Sequence, residues 1–426
     1  MNSVPVAGID VSKDFSDMCI LAPDNTIFAQ VKIFHDKVSM ERSLDFLTKA
    51  EEQFGKCPVL IMEATGHYHR LLWQFMQRSG YEASVINPIQ SNAIKNINVR
   101  KIKNDKIDAH RIALLYRLQA IKPTNIPNQA ITCLRALCRQ HYDLKNDMVS
   151  YANRLTAHLD QVFPGYSKIF YDIIGSTSLT ILSCWPSPQM ILEVPTATLT
   201  RTIRTAAHKS KEYSCEKSRL LKETAKSALA VGVCHQASDM LIQTVVSMLL
   251  SLAQAVKQTD SEIQKTVTEA PELKHNVELL KSIPGIADYS AAVILSEIGE
   301  FSAFQKPKQL VAFFGIDPSE RQSGKFVGTK NKIFKRGSRH LRKILNMVAI
   351  ANSFPLKNGT VLNPVMAAYY EKKAVSKPHK VVICAVMHKL VNIIFAVLRD
   401  QTPFEIRQPE EHRKMMLKNT LPNHAA

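Results

Sequence analysis

The chain has 426 residues, enough for two or three domains, and its 45% apolar content can build real cores. Charged residues make up 22%, which excludes wholesale disorder. Lysine and arginine total 55 against 37 aspartates and glutamates, a net charge of +18. That surplus favours a polyanion, because cations that neutralise phosphates release condensed counterions; a membrane surface is the other acidic partner to weigh.

The eight cysteines are scattered, with no Cys-x-x-Cys pair. Cys133 and Cys138 are too far apart for one arm of a zinc knuckle and have no second arm. All eight read as reduced thiols of a cytoplasmic protein. The start MNSVPVAGID lacks the basic residues and apolar stretch of a signal peptide. The longest apolar region, 381–398, is broken by His388, Lys389 and Asn392, so it predicts a buried helix rather than a membrane span.

Residues 4–34 predict three short strands, VPVAGIDVS, DMCILAP and TIFAQVKIFH, the last two joined by the turn PDNT. A helix follows over 38–54. KCPVLIMEATG reads as a buried strand with Glu63 at its end, HYHRLLWQFMQRSG as a helix ending at Gly80, and YEASVINP as another strand. A helix over 104–120 completes a first domain, 1–125, whose β-β-β-α-β-α-β order predicts a mixed sheet covered by helices.

From 126 to 271 the pattern changes to long helices. Leu134, Leu137, His141, Leu144, Met148, Tyr151 and Leu155 alternate steps of three and four, as do Leu241, Val245, Met248, Leu252 and Val256. Such stripes mark helices packed on helices, in the manner of a coiled coil. Between them, 163–236 carries Pro164, Gly165, Pro186, Pro188 and Pro195 and reads as an inserted subdomain of unassigned role. A third, mostly helical domain covers 272–402, and a polar tail, 403–426, is expected to be disordered. No internal repeat is visible.

The chemistry-bearing residues fall in two places. Asp10 and Glu63 end two strands; if those strands are neighbours, both carboxylates emerge at one sheet edge. Asp105 and Asp108 are three apart and share a helical face. Gathered carboxylates repel unless a hard cation such as Mg²⁺ or Mn²⁺ sits between them, and two such ions about 3.5–4 Å apart would clamp a phosphodiester. Each acid also has a plainer explanation: Asp105 and Asp108 as helix caps, Asp10 as a turn residue. Glu63 is harder to explain so, because a carboxylate beside an apolar run costs stability unless it is used.

In the C-terminal domain, LLKSIPGIADYSAAVILSEIG reads as a helix-hairpin-helix whose Pro-Gly turn, at Gly285, could offer backbone N–H groups to a phosphate; an ordinary helical hairpin has the same pattern. From 321 to 343 stand nine cations and no acid: Arg321, Lys325, Lys330, Lys332, Lys335, Arg336, Arg339, Arg342 and Lys343. A solvated basic face is the usual meaning of such a run. Here Gly324, Gly328 and Gly337 interrupt it and would let a phosphate backbone approach.

The segments GIDVSKD, MEATGHYHRLLW, INPIQSNAIKN and KNDKIDAHRIA together resemble the N-terminal domain of DEDD-type transposases of the insertion-sequence one-ten family, which includes pilin-gene invertases. Residues 275–350 resemble the same family's C-terminal domain. With 4–120, the resemblance covers nearly half the chain. It implies an RNase H-like, Holliday-junction-resolvase-like α/β fold for the first domain and a metal-binding tetrad of Asp10, Glu63, Asp105 and Asp108. It also implies a catalytic serine, which falls on Ser323 in RQSGK. A further implication is a structured non-coding guide RNA that pairs with donor and target DNA; separately, the long helices are expected to pair copies into a homodimer or homotetramer. Position 104 is Asn where Thr is common in the family, and the middle of the chain is longer than in compact members. A serine hydroxyl is a weak nucleophile, and Glu320 is the only acid near it in sequence. The expectation is therefore a composite site, in which the carboxylates reach Ser323 in space and Arg321, Lys325 or Arg339 stabilises the phosphoryl charge. The alternatives are a site-specific invertase of the same chemistry, a hydrolytic nuclease or junction resolvase that needs no Ser323, and a binding-only remnant. An ATPase or sugar kinase is disfavoured, because a second duplicated half and a glycine-rich adenosine loop are absent.

Overall fold

The structure is a computed structural model that describes residues 4–64, 66–86, 88, 105–118, 128–233, 237–318, 322–323, 326–327 and 332–420. The chain divides into two compact units, residues 1–126 and 127–426.

In the first unit, β1 (Val6–Val11), β2 (Phe15–Leu21), β3 (Ile27–Phe34), β4 (Val59–Glu63) and β5 (Ala83–Ile86) form one sheet in the order β3-β2-β1-β4-β5. β1, β2 and β3 are antiparallel neighbours, whereas β4 and β5 run parallel to β1. This is the mixed sheet that the element order predicts. Side chains alternate across a strand, and the sheet accordingly serves two cores. Ala7, Ile9, Val11, Leu60 and Met62 face α1 (Lys37–Phe54) and α2 (His69–Arg78). Val6, Cys19, Leu21, Ile61 and Ile86 face the helix α3 (Asp105–Arg117), whose Ala109, Ile112, Ala113 and Leu115 are buried against them.

The path of α3 is set by two contacts. Gly8 lies directly under it: a Cβ there would stand 2.3 Å from the Ala109 carbonyl oxygen and 2.4 Å from the Ala113 nitrogen. At the far end of the helix, the Arg117 Nη2 donates to the carbonyls of Val4 (2.6 Å) and Ala22 (3.0 Å). α3 therefore runs back along β1, and its N-terminal turn lies toward the C-terminal ends of β1 and β4.

The second unit is built on two long helices packed on each other, α4 (Gln129–Val162) and α9 (Ser238–Glu269). The first stripe holds: Leu134, His141 and Leu155 are buried. The second is turned by about one residue, with Ile242, Val245, Val246, Leu249, Val256 and Ile263 buried and Met248 46% exposed. Between them, α5 (Ser176–Cys184), α6 (Pro188–Glu193), α7 (Thr196–Ala207) and α8 (Lys211–Val231) close a core of their own with the inner halves of α4 and α9. The outer halves join a larger core formed by α10 (Pro271–Lys281), α11 (Asp288–Ile298), α12 (Pro307–Phe314), α13 (Arg339–Ser353), α14 (Pro364–Ala374) and α15 (His379–Asp400).

By length and apolarity, α9 and α15 could each cross a membrane, but α15 has nine side chains buried in this core, as the breaks at His388, Lys389 and Asn392 predict. The tail departs from the expectation of disorder. The Phe404 N–H donates to Ser282 Oγ at 2.7 Å, Phe404 lies against the core, and Pro409–Thr420 form α16. The tail helix also contacts α14. The seven described cysteines are free thiols.

Candidate functional site

The strand register gathers the N-terminal acids. Ile9 pairs with Met62 in the parallel β1–β4 ladder, so Asp10 and Glu63 follow side by side at the same end of the sheet. Strand alternation puts both on the face that α3 covers, because Val6 and Ile61, on the same parity, belong to that core. Asp108 sits on the first turns of α3, at the end that its antiparallel path brings toward Asp10. Glu63 and Asp108 are buried, at 7% and 5% exposure. The Asp108 Oδ1 accepts from Arg111 Nη1 at 2.9 Å. Asp105 begins α3, but its side chain lies outside the described residues.

One carboxylate of this face escapes the sequence reading. Asp17 is the Cα partner of Asp10 across the β1–β2 ladder, shares its face, and is 4% exposed. The signal was available: in a tight hairpin, residues directly opposite each other project to the same side.

The donor set is all carboxylate, which suits hard divalent cations such as Mg²⁺ or Mn²⁺. Placement also fits, since three acids share one sheet end and face. Among the described residues, no three His, Cys, Asp or Glu side chains are already drawn to the spacing of a metal ion's ligands. Asp108 is held by Arg111, and would exchange that partner to join a cation.

In the second unit, Gln322–Ser323 and Phe326–Val327 form a two-stranded hairpin, β6 and β7, with Ser323 opposite Phe326. Its stem is closed by the Pro318–Ile333 bridge and by the Phe334 N–H donating to the Asp317 carbonyl at 3.1 Å. The Ser323 side chain lies outside the described residues, as do Arg321, Lys325, Lys330, Gly324 and Gly328.

The remaining cations of the run divide by role. Lys335 and Arg336 are exposed, Arg336 at 5.1 Å over the Phe334 ring. Arg339 is also exposed; it pairs with Asp143 at 3.6 Å and stands over Tyr142. Arg342 turns inward instead. It donates to the carbonyls of Gly337 (2.7 Å) and Phe314 (3.4 Å), and burial lowers its guanidinium pKa. Gly337 likewise serves the protein's own backbone: a Cβ there would lie 2.1 Å from the Phe313 carbonyl oxygen, so its missing side chain admits a neighbouring loop rather than a phosphate. Gly285 is covered in the same way on one side, facing Asn352 and Ala351 of α13. Asp288, paired to Lys281 at 2.8 Å, adds an acid at the start of α11.

An ion pair with a buried carboxylate also lies outside what spacing could reveal. Arg139 of α4 donates to both carboxylate oxygens of Glu297 on α11, at 2.7 and 3.0 Å. Burial works to raise the Glu297 carboxyl, but the Arg139 guanidinium, with help from Ser338, holds it below its ordinary value.

Comparison with known proteins follows this division of the chain. A transposase family profile of the IS110 DEDD type matches residues 7–164, and one described as Transposase IS116/IS110/IS902 family matches residues 277–371. The chain belongs to the IS110 family of transposases. The two matches belong to the same family and bracket both clusters of candidate residues. Among relatives, the pilin gene-inverting protein of Moraxella bovis is 31% identical over 205 residues, which are 48% of this IS110-family chain and 59% of that protein. The insertion element IS116 44.8 kDa protein of Streptomyces clavuligerus is 21% identical over 94% of this chain and 96% of its own length. The mini-circle putative transposase for IS117 of Streptomyces coelicolor is 24% identical over 76% and 79%. The chain spans 59% of the length of the Moraxella relatives it matches.

Proposed function

We propose that this protein is a DNA strand-transfer recombinase of an insertion sequence, with an RNase H-like first unit and a composite active site. The observation that carries the reading is the β1–β4 register. With α3 lying antiparallel on β1, it sets Asp10, Glu63 and Asp108 at one end of one sheet face. The tetrad Asp10, Glu63, Asp105 and Asp108 would hold Mg²⁺ or Mn²⁺. When bound, such ions neutralise phosphoryl charge and favour the ionised form of an attacking hydroxyl.

Ser323 is the nucleophile in this reading. Its Oγ forms a bond to the scissile phosphorus while the bond from phosphorus to one sugar oxygen breaks, and that oxygen leaves as a hydroxyl with a proton. A hydroxyl of a second strand then reverses the step, rejoining DNA and freeing Ser323. Lys335, Arg336 and Arg339, which are exposed, with Arg321, Lys325 and Lys330 of the same basic run, supply cations for the phosphates. Arg342 shapes their loop, and Gly285 remains a candidate phosphate contact on its uncovered side. Donor and target DNA are the substrates, and a structured RNA made beside the gene is the guide. Copies pair through the long helices as a coiled coil; Val149, Met248 and Leu250, 58%, 46% and 43% exposed, leave apolar surface for a partner.

The test is a cleavage assay on DNA carrying the recombination junction, resolved under denaturing conditions to trap protein–DNA adducts. Asp10→Asn should abolish cleavage, and Ser323→Ala should abolish both cleavage and the adduct. Full cutting by Ser323→Ala would leave only the hydrolytic nuclease. Products that invert a segment, rather than insert one, would favour the invertase, a role named for the Moraxella relatives. Sequencing of RNA that co-purifies with the protein tests the guide.

A further inference from the structure

The C-terminal core carries a cavity of about 1260 Å³ that the reading above does not use. One wall is α13, through Arg342, Asn346 and Ile350; the other is the N-terminal half of α15, from His379 to Asn392. Pro318 and Ile333, the bridge that closes the Ser323 hairpin, line the same space. Five lysines line it, Lys332, Lys335, Lys343, Lys380 and Lys389, together with Arg342, whose guanidinium is held by backbone carbonyls, and no acid is among its lining residues. Its interior is apolar and aromatic. Ile316, Ile383 and Met387 form a floor, Ile350 and Val381 remain 42% and 51% exposed, and Lys389 Nζ stands 4.6 Å over the Tyr369 ring.

We propose that this groove binds a single strand of nucleic acid and leads it to the foot of the Ser323 hairpin. Two features select that occupant. A lining with five lysines and no acid complements a phosphodiester chain. The apolar, ring-bearing interior suits exposed base faces, which an unpaired strand offers and a duplex hides; cationic tracks with stacking platforms are how unpaired strands are held. A duplex would use the lysines and leave the interior empty. The inference rests on the recombinase reading for the strand's destination, but not for its binding. Both a DNA substrate strand and an unpaired segment of RNA have the required chemistry.

The test uses the full-length protein, fluorescent oligo-dT and oligo-rU 20-mers, and a 20-base-pair duplex, with binding followed by anisotropy across salt concentrations. Lys380→Gln/Lys389→Gln should weaken single-strand binding at least tenfold. It should lower the salt slope by about 1.4, two phosphates at about 0.7 each, while duplex affinity changes less than twofold. Tyr369→Ala should cost about tenfold with an unchanged salt slope. Lys332→Gln, on a loop outside the helical core, supplies a variant that does not depend on α15 folding normally. Wild-type single-strand affinity in all three variants would overturn the proposal, as would an equal loss on the duplex or equal displacement by polyglutamate. Loss confined to oligo-dT would assign the groove to substrate, and loss confined to oligo-rU to RNA. Asp10→Asn separates the two readings: it should keep single-strand binding while losing cleavage, and if it cleaves normally the recombinase site falls and the groove stands.

Discussion

Gly8 shows how much one missing methyl decides. The approach of α3 to β1 leaves no room for a side chain, since an added Cβ would be 2.3 Å from the Ala109 carbonyl oxygen and 2.9 Å from the Ala113 Cβ. Overpacking a filled core costs about 1–3 kcal/mol, and here the displaced body carries Asp105 and Asp108. Gly8→Ala is therefore expected to lower the melting temperature of the first unit and reduce DNA cleavage more than tenfold; normal cleavage in a folded variant would uncouple α3 from the site. The strand reading of VPVAGIDVS places this glycine mid-strand but does not reveal the helix that crosses it. Asp10 and Glu63 were legible because strand ends can be read from local alternation. Asp17 needed the β1–β2 register. Gly337 and Arg342, which the basic run presents as phosphate contacts, serve a loop whose packing partner, Phe313–Gly315, lies more than twenty residues away.

At the scale of elements, the Arg139–Glu297 pair ties α4 to α11 across 158 residues of sequence. Truncating Arg139 leaves the buried Glu297 carboxylate without its partner, a loss of about 1–3 kcal/mol. Arg139→Ala is expected to lower the melting temperature of the second unit by several degrees. Glu297→Gln should cost less, because it leaves no buried charge; equal effects would argue against this account. The element reading succeeds where a period is long and uninterrupted, as along α4. It slips on α9, where apolar residues surround much of the helix and several faces fit the same spacing; tertiary contact chooses the one with Ile242, Leu249 and Ile263. The tail was misjudged because its polarity hides Phe404, whose burial is a long-range event.

For the molecule as a whole, acid should loosen the second unit in two stages. Burial is the largest influence on His141, His340 and His388, and pushes each imidazole below its ordinary value of 6.5. The fold thus keeps them neutral while the unfolded chain takes up protons first, so this stability is complete above about pH 6.5 and declines below it. Glu297, held below its ordinary 4.5, contributes stability that is present above that value and lost as pH falls through the lower folded one. Urea midpoints measured from pH 8 to pH 3.5 should be level down to about 7, then fall, then steepen; a level profile to pH 5 would contradict the first stage. His141 stands in a stripe of leucines, where the sequence marks it as odd but does not reveal its Asp260 partner, 3.2 Å away on α9.

α4 has a structural consequence of its own. Ile131, Leu134 and Cys138 near its start belong to the larger core, and Leu155, Leu159 and Val162 near its end to the smaller one. At 1.5 Å per residue the helix is a rod of about 50 Å, with one end in each core. The same helix therefore belongs both to the insert and to the core that carries the Ser323 hairpin.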